Sequence, residues 1–442
     1  YELGGLSYPD PAAPALAGAD WEHFSAMRLF VQQARRAQAS FAVADEDLPS
    51  IAAVCRLLEG MPLALELAAP WVRAISVAEL VGELERSFDF LSASTVPVPV
   101  EERHHSLRAI FTQTWSTLAD DEKRVLKRLS VFKGGFSREA AAAIVDARLP
   151  DLARLLDRAL LRRGSNGRYS LHELIRQFAA ERLEAVAGEA ETTRARHSDY
   201  YLAFLAERTP SIKGGRQQAV LVEIATEIDN IRAAWAHGVA RRQIVSLFRA
   251  AECYWLYSEF RGDLSGGEEL FGRSLEALSD PAPTSVEEKR LLAFLQAGRG
   301  SLAARRGWLG EGIEQMRAGI AGLREVEHPD RQKEAFALAW LAFGLVMQGH
   351  NDEATRAAQA SLDLFPVTND YWLKAGCLRL LGAAALHRGE LERAEAYLQE
   401  CLETCAEIDE RRIQTYARMN LGRIAMLRGE HHRAGQWFHC LL

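Results

Sequence analysis

The sequence has few cysteines and no long apolar runs, and it lacks the signatures of catalysis. Six cysteines in 442 residues form no CxxC pair, a usage that excludes a disulfide scaffold and fits a reduced, cytoplasmic setting. No apolar run approaches the roughly 20 residues of a membrane helix; Leu63–Val72 carries Glu66 and Pro70 inside it. No signal-peptide pattern opens the chain. A net charge of −7 argues against a chain built to coat nucleic acid or an anionic membrane. There is no GxxxxGK[ST] and no Gly-Lys dipeptide, so no glycine loop and lysine stand ready to cradle phosphates. No apolar run ends in paired acids, and there is no nucleophile elbow or paired-carboxylate arrangement. The chain should not hydrolyse ATP, and no catalytic residue is assigned. His431, His432, His439 and Cys440 match no standard metal spacing, so no metal site is expected. Cys401 and Cys405, four apart, read as small buried hydrophobes on one helix face.

What is present is helix. Leu, Ala, Arg, Glu and Gln dominate, β-branched alternation is almost missing, and the length implies two to four domains. The expected fold class is predominantly all-α. Residues 20–92 read as a small helical domain. Phe24–Gln38 places Met27, Phe30, Val31 and Ala34 on one stripe. Asp47 is placed to cap a helix that runs to Leu58 and is terminated by Gly60, and Pro62 opens the next at a position that tolerates its missing N–H. Pro70 should split that helix, and a last one covers Val77–Phe88. Val96–Val100, alternating with proline, reads as an extended linker within 93–105. Residues 106–187 show helices at Leu107–Leu118, Asp120–Leu129, Ser137–Val145 and Pro150–Leu161. A tight hairpin at Arg163–Tyr169 and a final helix follow, in winged-helix order with a small β-wing. Ser170 and Glu173 have the spacing of a capping box for that final helix.

After a helical connector at 188–248, the chain repeats from 249 to 442. Gly300, Gly307 and Gly312 set a rhythm that returns at Ala342, Gly349, Ala354, then Gly382, Gly389, Ala394, then Gly422, Gly429, Ala434. Trp255, Gly262 and Gly267 form a degenerate earlier copy. Small residues let two antiparallel helices approach, and the middle glycine turns the corner between them. The result is an α-solenoid of tetratricopeptide-like hairpins, with Leu381-Gly382 and Leu421-Gly422 at the expected leucine-glycine positions. Trp255, Trp308, Trp340 and Trp372 recur along it and read first as core.

Two motifs carry a family resemblance. Gly60-Met61-Pro62-Leu63-Ala64 resembles the glycine-x-proline motif of the helical ARC-like domain in STAND (NB-ARC-like, AP-ATPase) bacterial signal-transduction regulators. Leu171-His172-Glu173 is similar to the Met-His-Asp motif of their winged-helix domain. Leu129–Phe136 and Glu227–Ala234 also look like this class, and the resemblance covers essentially the whole chain. Glu173 stands where the family has Asp, and Pro70 interrupts a helix the family continues.

The resemblance implies a cofactor, ADP or ATP with Mg²⁺ in the parent protein and none required by this fragment alone. Gly60, Pro62, Leu63 and His172 are the residues it assigns to nucleotide binding. In the family this histidine contacts the β-phosphate of ADP and holds the closed, inactive state. An imidazole in the first turn of a helix can donate to a phosphate oxygen, best when protonated. The family's ATPase domain would precede Tyr1, with residues 1–19 as its tail. The chain's start at Tyr1, not Met, then reads as a processed or excised fragment of a slow ATPase switch.

The first functional reading is the regulatory and sensor portion of such a switch, acting in transcription regulation. Its partners would be an inducer or protein on the repeats, the missing ATPase domain, and further copies of itself when activated. The second is a tetratricopeptide-like interaction scaffold with no nucleotide role. Direct DNA binding is the weakest reading, because residues 118–187 hold 14 Lys/Arg against 10 Asp/Glu, a basic bias that is only modest. No membrane partner is expected.

Overall fold

The structure, a computed structural model, describes residues 5–9, 18–86, 111–112 and 114–439. The expected linker at 93–105 and Cys440 lie outside them. The chain divides into two compact units, Tyr1–Arg196 and His197–Leu442. It is predominantly helical, and its sheet among the described residues is one two-stranded ribbon.

The first unit opens with four helices, α1 (Ser25–Ala37), α2 (Leu48–Leu57), α3 (Pro62–Ala68) and α4 (Val77–Arg86). Met27, Phe30, Val31 and Ala34 are all buried on α1, as the stripe requires, against Leu48, Ile51 and Leu80. Asp47 occupies the N-cap position of α2, but its side chain accepts no bond from that helix. It accepts instead from the Ala44 N–H at 3.4 Å, closing the 3₁₀ turn Asp45–Asp47. Pro70 ends α3, and the chain tightens into the 3₁₀ turn Ala69–Arg73.

The same unit continues with α5 (Asp120–Leu129), α6 (Arg138–Val145) and α7 (Leu149–Asp157), the antiparallel strands β1 (Arg162–Arg163) and β2 (Tyr169–Ser170), and α8 (Glu173–Glu184). Ser137 caps α6 through the Ala140 N–H. The helix expected to reach Leu161 stops at Asp157, because Ala159 turns left-handed with φ 55°. Phe136 exchanges both backbone hydrogen bonds with Tyr169, tying the hairpin back to the loop before α6. The capping box is corrected. Ser170 lies in β2 opposite Arg162, and the N-cap of α8 is His172. The ladder holds Ser170 extended, so the helix cannot start until two residues later. The next helix, α9 (Glu189–Ile212), starts in this unit, with Lys127 and Arg128 on Glu189 and Arg196 on Asp146.

The second unit begins at His197 within α9 and continues with α10 (Gln217–Thr226) and α11 (Ile228–Ala240). Five hairpins follow: α12 (Ile244–Arg261) with α13 (Leu264–Ser279), α14 (Val286–Arg305) with α15 (Leu309–Glu325), α16 (Arg331–Gln348) with α17 (Asn351–Asp363), α18 (Tyr371–His387) with α19 (Leu391–Glu407), and α20 (Arg411–Leu427) with α21 (His431–His439). The corner glycines Gly262, Gly307, Gly349, Gly389 and Gly429 all have positive φ, between 76° and 107°. Gly300 and Gly312 mark a close helix approach, where a Cβ on Gly300 would lie 2.5 Å from the Gly312 carbonyl oxygen. Cys401 and Cys405 are buried with sulfurs 4.0 Å apart, packed as apolar groups on one face. Trp255 is fully buried, whereas Trp308 is 62% exposed at a corner and is not core.

Candidate functional site

The Gly60 motif is a chain reversal built by two consecutive left-handed residues, Glu59 (φ 48°) and Gly60 (φ 65°). The Gly60 N–H reaches back to the Cys55 carbonyl at 2.9 Å and ends α2. A Cβ on Gly60 would run into the Leu6 carbonyl, and one on Gly5 into the Glu59 carbonyl. Only glycines let the segment Gly5–Pro9 lie across this turn, joined by the Leu6 N–H to Gly60 oxygen bond of 2.9 Å. Met61 is then the N-cap of α3, and Pro62 sits exposed in its first turn. Leu63 follows as the next helical residue.

His172 reaches the same turn from α8. Its ring is buried, only 5% exposed, and its Nε2 lies 3.9 Å from a Glu59 carboxylate oxygen. Arg162, from β1, forms an ion pair with that same oxygen. The tautomer follows from the cap. Nδ1 accepts from the Leu174 N–H at 3.2 Å, so it carries no proton, and the neutral ring must carry its proton on Nε2. Among the described residues that buried Nε2–H has no hydrogen-bond acceptor. Burial pushes the His172 pKa below its usual value, against the opposing pull of Glu59. The expectation that this ring works best when protonated is therefore corrected: a proton on Nδ1 would break the cap.

Neighbouring groups fix α8 in place. Burial would raise the Glu173 pKa, but bonds from Arg176 at 2.7 Å and Gln177 at 2.9 Å hold it below the usual carboxylate range. As the first helical residue, Glu173 is too near His172 to serve a capping box. Gln177 also donates to the Leu84 carbonyl at 3.0 Å, and Leu174 joins the core of α1–α4. The structure thus brings Gly60 and His172 together through Glu59, with Pro62 two residues along the same turn. Glu59, Arg162 and Tyr8 were not assigned from sequence. Tyr8 is half-buried there, and burial next to the Glu59 charge raises its pKa.

Over 418 residues the chain is 28% identical to a protein of Mycobacterium tuberculosis and to one of Mycobacterium bovis, each described as a "Putative HTH-type transcriptional regulator". The chain resembles bacterial transcription regulators. The match takes in 91% of this chain but 46% of each relative, so the chain spans about half their length. A solved structure from Pyrococcus horikoshii, a Signal Transduction ATPase with Numerous Domains (STAND) protein with a tetratricopeptide repeat sensor, aligns with 94% of this chain and 59% of its own. Its TM-score is 0.45 at 15% identity, a likeness from which no activity follows. No family model matches the chain. No helix among the described residues is long and apolar enough to cross a membrane.

Proposed function

We propose that this chain is the regulatory and sensor portion of a STAND-type nucleotide-dependent switch in transcription regulation, working in the cytoplasm. In this reading 20–92 is the ARC-like domain, 106–187 the winged helix, 188–248 a connector and 249–442 the sensor. An ATPase domain elsewhere in the parent protein would supply the phosphate-binding loop and Mg²⁺.

The observation that carries the reading is the unanswered Nε2–H of His172. A buried donor without an acceptor costs about 1–3 kcal/mol, and a phosphate oxygen is the partner it lacks. Arg162, paired with the nearby Glu59 carboxylate, offsets its charge, which eases the approach of an anion. ADP would supply the phosphate acceptors and a flat base, with Pro62 offering an exposed ring edge at the start of α3. Such a nucleotide favours the closed form only by binding it more tightly than the open one. Inducer on the repeats would favour the open form, which then self-associates. The basic excess of 118–187 is largely used internally, by Arg162 on Glu59, Arg158 on Glu122, Arg176 on Glu173, and Lys127 and Arg128 on Glu189. That supports a structural use of these cations over direct DNA contact.

The test is His172→Asn in the parent protein. Asn is among the best N-cap residues, so it keeps the α8 cap while removing Nε2–H. The expected result is wild-type folding with ADP lost on purification and raised basal activity. Unchanged ADP content would refute the assignment and leave His172 as a cap within an interaction scaffold.

A further inference from the structure

The repeat array forms a partly open cavity of about 330 Å³, at the small end of ordinary ligand sites. It is formed by the first helices of successive hairpins, each presenting one face at helical spacing: Trp340, Phe343 and Met347 from α16, Trp372, Gly376 and Arg379 from α18, and Arg412 and Tyr416 from α20. The walls are mostly apolar and aromatic, but the polar groups among them are incompletely paired. Arg305 is bound to Glu259 at 2.7 Å, which answers one cation of the lining. Arg379 and Arg412 have no carboxylate within 4 Å among the described residues. Arg379 lies over the rings of Phe343 at 5.8 Å and Tyr416 at 5.5 Å, and Arg412 over Phe260 at 4.3 Å. The Glu410 carboxylate, also in the lining, is engaged as the cap of α20, accepting from the Ile413 N–H at 2.5 Å. Two further buried atoms lack a hydrogen-bond partner among the described residues, the Trp372 Nε1–H donor and the Glu259 Oε2 acceptor.

The lining holds four arginines, Arg305, Arg379, Arg412 and Arg423, against two carboxylates, Glu259 and Glu410. Those carboxylate charges reach Arg412 and Arg379 without closing an ion pair, so the cations of the lining are incompletely neutralised. Each buried polar atom left unpaired is also costly. The cavity therefore asks for a negative charge, a flat apolar body to meet its rings, and one hydrogen-bond donor for Glu259. Gly376 widens it: a Cβ there would meet nothing within 4 Å. We propose that this cavity binds a small flat organic anion carrying one hydrogen-bond donor, its charge held by Arg379 and Arg412 and its body packed between the aromatic rings of α16 and α18. The assignment of that ligand as the inducer rests on the sensor reading above. The binding itself does not.

The probe is 8-anilino-1-naphthalenesulfonate, a flat aromatic anion with one N–H donor. Its uncharged analogue, N-phenyl-1-naphthylamine, is the control. Titration of the purified 442-residue chain should give one saturable site, detected by energy transfer from tryptophan, with the analogue at least tenfold weaker. Arg379→Met should cost the anion at least tenfold while leaving the analogue unchanged. That variant removes a poorly compensated cation and should fold normally by circular dichroism. Gly376→Leu, which fills open space on a helix, should abolish binding of both. Equal affinity for the two probes, or an Arg379→Met variant that binds the anion like wild type, overturns the proposal. Because no nucleotide is present, the outcome is independent of the His172→Asn experiment.

Discussion

Gly300→Ala tests whether helix approach in the second unit is set by glycine. The added Cβ would sit 2.5 Å from the Gly312 carbonyl oxygen and 2.8 Å from the Gln315 Cβ. A comfortable C···O contact is about 3.3 Å, so α14 and α15 must part by roughly 0.8 Å. A backbone carbonyl inside a helix cannot rotate away as a side chain tip would. Overpacking of this kind costs about 1–3 kcal/mol, against which Ala recovers about 0.5–1 kcal/mol of helix propensity. The net expectation is a loss of about 1–2 kcal/mol, or roughly 2–8 °C in Tm for a unit of this size. Gly376→Ala is the matched control, since its Cβ meets nothing within 4 Å and α18 is otherwise unchanged. That variant should gain about 0.5–1 kcal/mol. Neighbour interactions dominate in repeat arrays, so hydrogen exchange should quicken first in α14 and α15. A Gly300→Ala protein as stable as wild type, with α14 and α15 equally protected, would refute the close-approach argument.

Two further outcomes concern charge in the same unit. Lys213 is buried between Glu252 and Asp370, and Lys333 completes the cluster at 2.7 Å from Glu252. Burial would raise the Glu252 pKa, but these two lysines push it down to about 2. Lys213→Met strands the Asp370 charge and should cost about 3–5 kcal/mol, toward the lower end because Glu252 keeps Lys333; an unchanged urea midpoint would contradict this. His197, buried beside Asn230 at 3.3 Å, has its pKa pushed down to about 4 by burial. Below pH 6.5 the unfolded chain takes up this proton and the folded chain does not, so stability is complete above pH 6.5 and is lost as pH falls. By pH 4 the loss should reach about 3 kcal/mol from this group, and His197→Leu should flatten that part of the urea-midpoint profile.

Much of the fold was legible because local rules and tertiary packing agree. The stripe Met27, Phe30, Val31, Ala34 is buried as its spacing requires, and Pro70 ends its helix because it cannot continue the hydrogen-bond ladder. The corner glycines lie where their period puts them, since a left-handed turn after a helix is a local demand. The failures fall where a long-range contact outranks a local pattern. Ser170 has the right spacing for a cap but is claimed by the ladder with β1. Trp308 shares the recurrence of the other tryptophans yet lies at an exposed corner. Of the candidate site, the motif residues Gly60, Pro62 and His172 could be chosen from sequence, but their neighbours could not. Glu59 and Arg162 are 103 positions apart, and nothing in either segment announces the other.

The amino-acid sequence by itself determined the helical class, the repeat period and the absence of a P-loop signature, because periodicity, turn chemistry and motif composition are properties of short stretches. Only the tertiary structure decided which His172 nitrogen carries the proton and that it lacks an acceptor. It alone gathered Arg379, Arg412, Glu259 and Trp372 around one cavity. Desolvation and pairing depend on what surrounds a group from every side, and in a chain of stacked hairpins those surroundings come from residues far apart in sequence.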